Sequence, residues 1–122
     1  ENAVRATRAR RRAAEAELEK VRLQAIGETW DAYFRVRAYR DQFDFGEALL
    51  DQSRETFEAV TASYQQGLAT ITELVQSERN LQEARAVFVK TRADLLVAAA
   101  DLALSSGLEV GRISADRLPA VD

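Results

Sequence analysis

The chain of 122 residues has no cysteine and no histidine. Disulfides, thiol and imidazole nucleophiles and most zinc chemistry are therefore excluded. Proline occurs once, at Pro119, and glycine only at Gly27, Gly46, Gly67, Gly107 and Gly111, so long tracts carry no strong helix breaker. No run approaches the ~20 uninterrupted apolar residues of a membrane-spanning helix; the best, Leu95 to Ala100, stops at Asp101. Neither sign of charge dominates, the net being -3, yet the signs are separated along the chain. Arg5, Arg8, Arg10, Arg11 and Arg12 sit against only Glu1, which leaves twelve basic and nineteen acidic residues for the remainder. That arginine run has no aromatic residue within it, so the stacking half of a single-strand nucleic-acid site is missing and a solvated face is the simpler reading. The carboxylate pairs Asp51 with Glu55 and Glu15 with Glu19 have helical spacing but no added base or ligand set. No catalytic residue, metal site or cofactor site is expected.

What is present is 47% hydrophobic and 30% charged, the balance of an ordered domain rather than a disordered polymer or a lipid-buried bundle. The chain begins at Glu1 with no methionine and no leader pattern, and is expected to be a segment of a longer protein. Ala25, Thr29, Ala32, Val36, Tyr39, Phe43, Gly46, Leu50, Ser53, Phe57, Val60 and Tyr64 succeed one another in alternating steps of four and three. That is the seam of a coiled coil, with a period of about 3.5 residues. After Gly67 the pattern resumes as Leu74, Ser77, Leu81, Ala84, Phe88, Thr91, Leu95, Ala98, Leu102 and Ser105.

Two helices joined by a few residues return antiparallel, with Gly67 at the tip. Folding the seams about that tip pairs residues whose numbers sum to about 134. Phe57 then faces Ser77, Ser53 faces Leu81, Leu50 faces Ala84, Gly46 faces Phe88, Phe43 faces Thr91, Val36 faces Ala98 and Ala32 faces Leu102. Large meets small in nearly every layer, and Gly46 is given the role of admitting Phe88. The expected fold is all-α, a long antiparallel coiled-coil hairpin of unequal arms, roughly 95 Å and 58 Å at the rise of an α-helix. Its parts are a long helix over 1–66, a turn and the start of the return helix over 67–72, a return helix over 73–107 and an irregular link over 108–122. The first residues overshoot the hairpin, so the edge Ala14, Leu18, Val21 and Ala25 has no partner within the chain. A stutter between Val21, Ala25 and Thr29, with Gly27 inside it, marks a change of packing partner.

One seam cannot bury all the aromatic residues, because Trp30, Phe34 and Phe45 point away from it. The return helix carries a second apolar stripe at Val75, Val89 and Leu96. A helix apolar on two flanks belongs in a ring or sheet of helices, so further helices are expected from outside.

The stretch Tyr64-Gln65-Gln66-Gly67-Leu68-Ala69-Thr70, then Ile71-Thr72-Glu73-Leu74, then Leu81, Ala84 and the closing Leu95 to Gly107, resembles the repeat of the TolC-type outer-membrane efflux channel family. The segment Gly111-Arg112-Ile113-Ser114 through Leu118 is similar to the link that comes after the second repeat. The resemblance implies one hairpin of a trimeric α-helical barrel, a periplasmic tunnel below an outer-membrane β-barrel. It implies a homotrimer, docked by its hairpin tips to a periplasmic adaptor (membrane fusion) protein and through it to an inner-membrane pump or secretion transporter. The chain would be the periplasm-facing part of a passive conduit for efflux or secretion, with neither an enzyme activity nor a nucleic-acid partner. Gly67, Leu68, Thr70 and Thr72 then form the adaptor-docking tip, Tyr64 and Glu73 the candidate entrance gate, and Leu50, Phe57, Val60, Leu74, Leu81, Ala84 and Phe88 the hairpin seam. Against the family pattern, Gln66 replaces the apolar residue usual before the glycine, Ala69 lacks the basic residue some members use to latch the tip, and Gln76 is neutral where some members have a second acidic residue.

Plainer roles stand beside these. Gly67 is a helix-ending glycine in any hairpin, Glu73 a favourable charge near a helix start, Tyr64 a seam residue with a wet hydroxyl, and the rings around Trp30 packing surface rather than a ligand pocket. The rival function is a coiled-coil hairpin of a periplasmic adaptor or a structural interaction scaffold, which needs one apolar flank per helix rather than two.

Overall fold

A computed structural model describes the backbone of residues 1–116 and the side chains of residues 1–107. Two helices account for the described chain: α1, Asn2–Gln65, of 64 residues, and α2, Ile71–Asp116, of 46 residues. No proline lies in either, and alanine, arginine, glutamate and leucine, all strong helix formers, fill about half of the positions. Gly27 and Gly46 are carried inside α1, because a glycine costs about 1 kcal/mol in a helix but keeps its hydrogen-bond donor. No helix among the described residues is long and apolar enough to cross a membrane.

The expected irregular link beyond residue 107 is not what is found over its first part, since α2 runs unbroken to Asp116. The reason is the same: Gly107 and Gly111 weaken a helix without removing a donor, and the first residue that does remove one is Pro119. The rest of the expected link, residues 117–122, lies outside the described residues.

The chain divides into two compact units. Arg35–Ala100 holds the tip and the two helices packed against each other as an antiparallel hairpin. Its centre is Leu50, Leu81 and Ala84, with Leu49, Phe57 and Phe88 packed around them. Every seam position of this unit from Val36 to Val60 on α1, and from Leu74 to Ala98 on α2, is buried or half-buried. The core is one side chain thick, and burying a leucine there stabilises by about 2 kcal/mol. Polar seam residues are accommodated within their own helices: the Ser77 hydroxyl donates to the Leu74 carbonyl at 2.8 Å, and the Thr91 hydroxyl to the Val87 carbonyl at 2.9 Å. Among the described residues no buried side-chain polar atom lacks a partner, so these small residues thin the seam without an unmet hydrogen bond.

Gly46 lies opposite Phe88 as the pairing expects, but the side chain that its missing Cβ makes room for is another. A Cβ built on Gly46 would lie 2.9 Å from the Thr91 Oγ1 and 3.7 Å from the Phe88 Cα. The tight neighbour is the Thr91 hydroxyl, while the Phe88 backbone lies at ordinary contact distance. The Phe88 ring packs on Phe43, ring centroids 5.4 Å apart, an aromatic contact worth about 0.5–1.5 kcal/mol beyond its burial. Gly46 therefore makes room for the Thr91 hydroxyl rather than for the Phe88 ring.

In the other unit, residues 1–24 are exposed throughout; Ala25 and Thr29 on α1 and Leu102 and Ser105 on α2 are half-buried, and Ala32 is buried. The onset falls at the stutter around Gly27, through which α1 continues as helix. Trp30, Tyr33 and Phe34 stand on the surface in mutual contact, with ring centroids 5.7 to 6.0 Å apart.

Candidate functional site

The tip between α1 and α2 is built by two local hydrogen-bond motifs meeting in five residues. At the end of α1 the Gly67 N–H donates to the Tyr64 carbonyl at 3.0 Å and the Leu68 N–H to the Ser63 carbonyl at 2.8 Å. With Gly67 at φ 74°, this is a Schellman cap, which needs a left-handed residue just past the helix and so selects glycine. At the start of α2 the Thr70 hydroxyl accepts from the Glu73 N–H at 3.2 Å, while the Glu73 Oε2 accepts from the Thr70 N–H at 2.7 Å. That reciprocal pair is a capping box, and it places the Glu73 carboxylate at the positive end of the α2 dipole.

The tip thus satisfies its own backbone while leaving its side chains outward. Leu68 is 78% exposed and Ile71 57%. A Schellman cap often folds the residue at the Leu68 position against the residue that accepts its N–H, but here that residue is Ser63, too small and polar to hold it. Tyr64, Thr70, Thr72 and Glu73 are exposed as well. A side chain added at Gly67 would meet nothing within 4 Å, so only the positive φ resists substitution there.

The proposed tip residues Gly67, Leu68, Thr70 and Thr72 are consecutive or nearly so and share this one surface. Tyr64 and Glu73 flank it, Tyr64 on the last turn of α1 and Glu73 within the cap of α2. Of the seam residues, Leu50, Leu81 and Ala84 are buried together, Phe57 and Phe88 pack on them, and Val60 and Leu74 are half-buried nearer the tip. Two features went unread in the sequence. The Thr70-x-x-Glu73 spacing is itself the signature of a capping box, and Ile71, one turn before Val75, extends the apolar tip surface beyond Leu68.

No curated protein and no solved structure matches the chain. The model of one family, described as outer membrane efflux protein, matches residues 1–108, which takes in α1, the tip and most of α2. A two-helix hairpin with a glycine-capped tip, matched along nearly its whole length, belongs to the outer membrane efflux protein family, whose role is that of an efflux channel of the outer membrane.

Proposed function

We propose that this chain is a length of wall in the periplasmic tunnel of an outer-membrane efflux or secretion channel, and that its tip docks a periplasmic adaptor protein. The observation that carries this is the division of labour at the tip: its backbone is closed by its own caps, yet Leu68 and Ile71 stay 78% and 57% exposed. Folding does not use those side chains, so they remain for a partner. Gly67, Leu68, Thr70 and Thr72 form the docking surface, where a glycine lets a second helical tip approach closely. Tyr64 and Glu73 stand at the tunnel entrance; Glu73 uses one carboxylate oxygen in the cap, which leaves the other to face the opening. The full-length protein is a homotrimer, joined through the adaptor to an inner-membrane pump and held in the outer membrane by a β-barrel supplied by other parts of the protein. It acts as a passive conduit.

Gly67→Asn in the full-length protein tests the docking surface. Asparagine tolerates positive φ and adds bulk that nothing inside the chain obstructs. Export is expected to fall by about tenfold or more, as when a hot-spot contact of about 1.4 kcal/mol is lost, with an unchanged amount of trimer in the outer membrane. Normal export at a normal trimer level would leave Gly67 as a turn residue only.

A further inference from the structure

The positive charge of α1 is concentrated in its first turns. Arg5, Arg8, Arg10, Arg11 and Arg12 stand against Glu1 alone, and Glu15, Glu17 and Glu19 then follow, so the basic stretch ends at a definite level of the helix. All five arginines are exposed. Arg5, Arg8 and Arg12, spaced by three and four, share one face. At about 100° of rotation per residue, that face lies roughly opposite the apolar edge of Ala14, Leu18 and Val21, so neighbours packed on the edge leave these arginines uncovered. Arg5 meets Glu1 only at 3.6 Å, in the open. Arg8 and Arg12 take part in no ion pair among the described residues.

We propose that Arg5, Arg8 and Arg12 bind the phosphates of an anionic lipid surface, the headgroup layer of the outer membrane. This rests on the tunnel-wall reading: with the tip docked to an adaptor in the periplasm, the other end of α1 is the end nearer that membrane. The arginine face is open along its whole length, which suits a field of phosphates rather than one enclosed anion. Guanidinium groups take phosphate oxygens two at a time. From Arg5 to Arg12 the helix rises by about 10 Å, and long, flexible side chains can bring their charged ends to one headgroup layer over such a span. No aromatic residue lies among them on which a nucleic-acid base could stack. The net charge of -3 does not oppose the contact, because charges are screened over about 8 Å at physiological salt and most of the acidic residues lie further along the chain.

Co-sedimentation of the 122-residue chain with lipid vesicles tests the contact, with helix content followed by circular dichroism. Vesicles of equal parts phosphatidylglycerol and phosphatidylcholine are expected to bind the chain at least about tenfold more tightly than phosphatidylcholine alone, and to release it as salt is raised. The combined changes Arg5→Gln, Arg8→Gln and Arg12→Gln should weaken binding about a hundredfold, at about fivefold for each arginine near an anionic surface. The corresponding changes to lysine should keep most of it. Arg35→Gln, Arg37→Gln and Arg40→Gln, also exposed on α1, should alter it by no more than about twofold. Equal loss in the two glutamine variants with helix content intact, equal binding to neutral vesicles, or no binding at all would overturn the contact. So would release by millimolar phosphate at constant ionic strength, the mark of a single-anion site, or tighter binding of a single-stranded oligonucleotide than of the vesicles. Such a failure alongside impaired export in Gly67→Asn removes the lipid contact alone, whereas arginine-dependent binding with unimpaired export removes the docking role alone.

Discussion

Gly46 works through what it lacks. A Cβ at this position would meet the Phe88 Cα at an ordinary 3.7 Å but the Thr91 Oγ1 at only 2.9 Å, so the missing atom makes room for the Thr91 hydroxyl. Thr91 is stiff, 8% exposed and bonded back to Val87, so it cannot easily move aside. Gly46→Ala gains about 1 kcal/mol of helix propensity but overpacks at a cost of about 1–3 kcal/mol. The net expectation in denaturant unfolding is a loss. With Thr91→Ala already in place the clash is gone, and the same Gly46→Ala change should then stabilise by up to about 1 kcal/mol; an equal loss in both backgrounds would show that Thr91 is not what the glycine accommodates. That a small residue is needed at 46 could be read from the large-to-small alternation of the seam. Which neighbour fills the gap could not, because it depends on how closely the backbones approach, and a ring such as Phe88 has another site beside Phe43.

At the scale of the helix, the spacing of three and four carried most of the structure. Positions from Ala25 to Val60 and from Leu74 to Ser105 lie in order on the faces that are buried or half-buried, and Trp30, Phe34 and Phe45, set apart from that stripe, are on the surface. Helix ends were less legible. Gly67 stops α1 because the chain reverses there with a Schellman cap, whereas Gly107 sits within a helix that goes on to Asp116. Their downstream neighbours set the two glycines apart: Thr70 and Glu73 cap a new helix just beyond Gly67, and no Thr-x-x-Glu pair stands beyond Gly107. The register itself is open to measurement. Leu50→Cys with Ala84→Cys, whose parent side chains share one core cluster, is expected to close rapidly within a single chain, and Leu50→Cys with Thr91→Cys, about 10 Å further along the helix, is not. Preferential closure of the second pair would mean a hairpin shifted by about two turns.

For the whole molecule, the surface says more than the core. Leu18, Val21, Leu23 and Ile26 are exposed along the part of α1 before the hairpin, and Trp30, Tyr33 and Phe34 form an exposed aromatic group beyond them. So much uncovered apolar surface on so thin a core is what the proposed tunnel wall would cover with neighbouring helices. The apolar tip is the part of that surface with the most specific assignment, and one measurement bears on it most directly. In cells whose full-length protein carries Leu68→Asp, the exposed position of Leu68 should leave folding within about 0.5 kcal/mol of the parent and the trimer level in the outer membrane unchanged. Export should drop to that of cells lacking the protein, because a desolvated docking contact now buries an unpaired charge. Export at the parent level, with the trimer present in normal amount, would contradict a docking role for the tip.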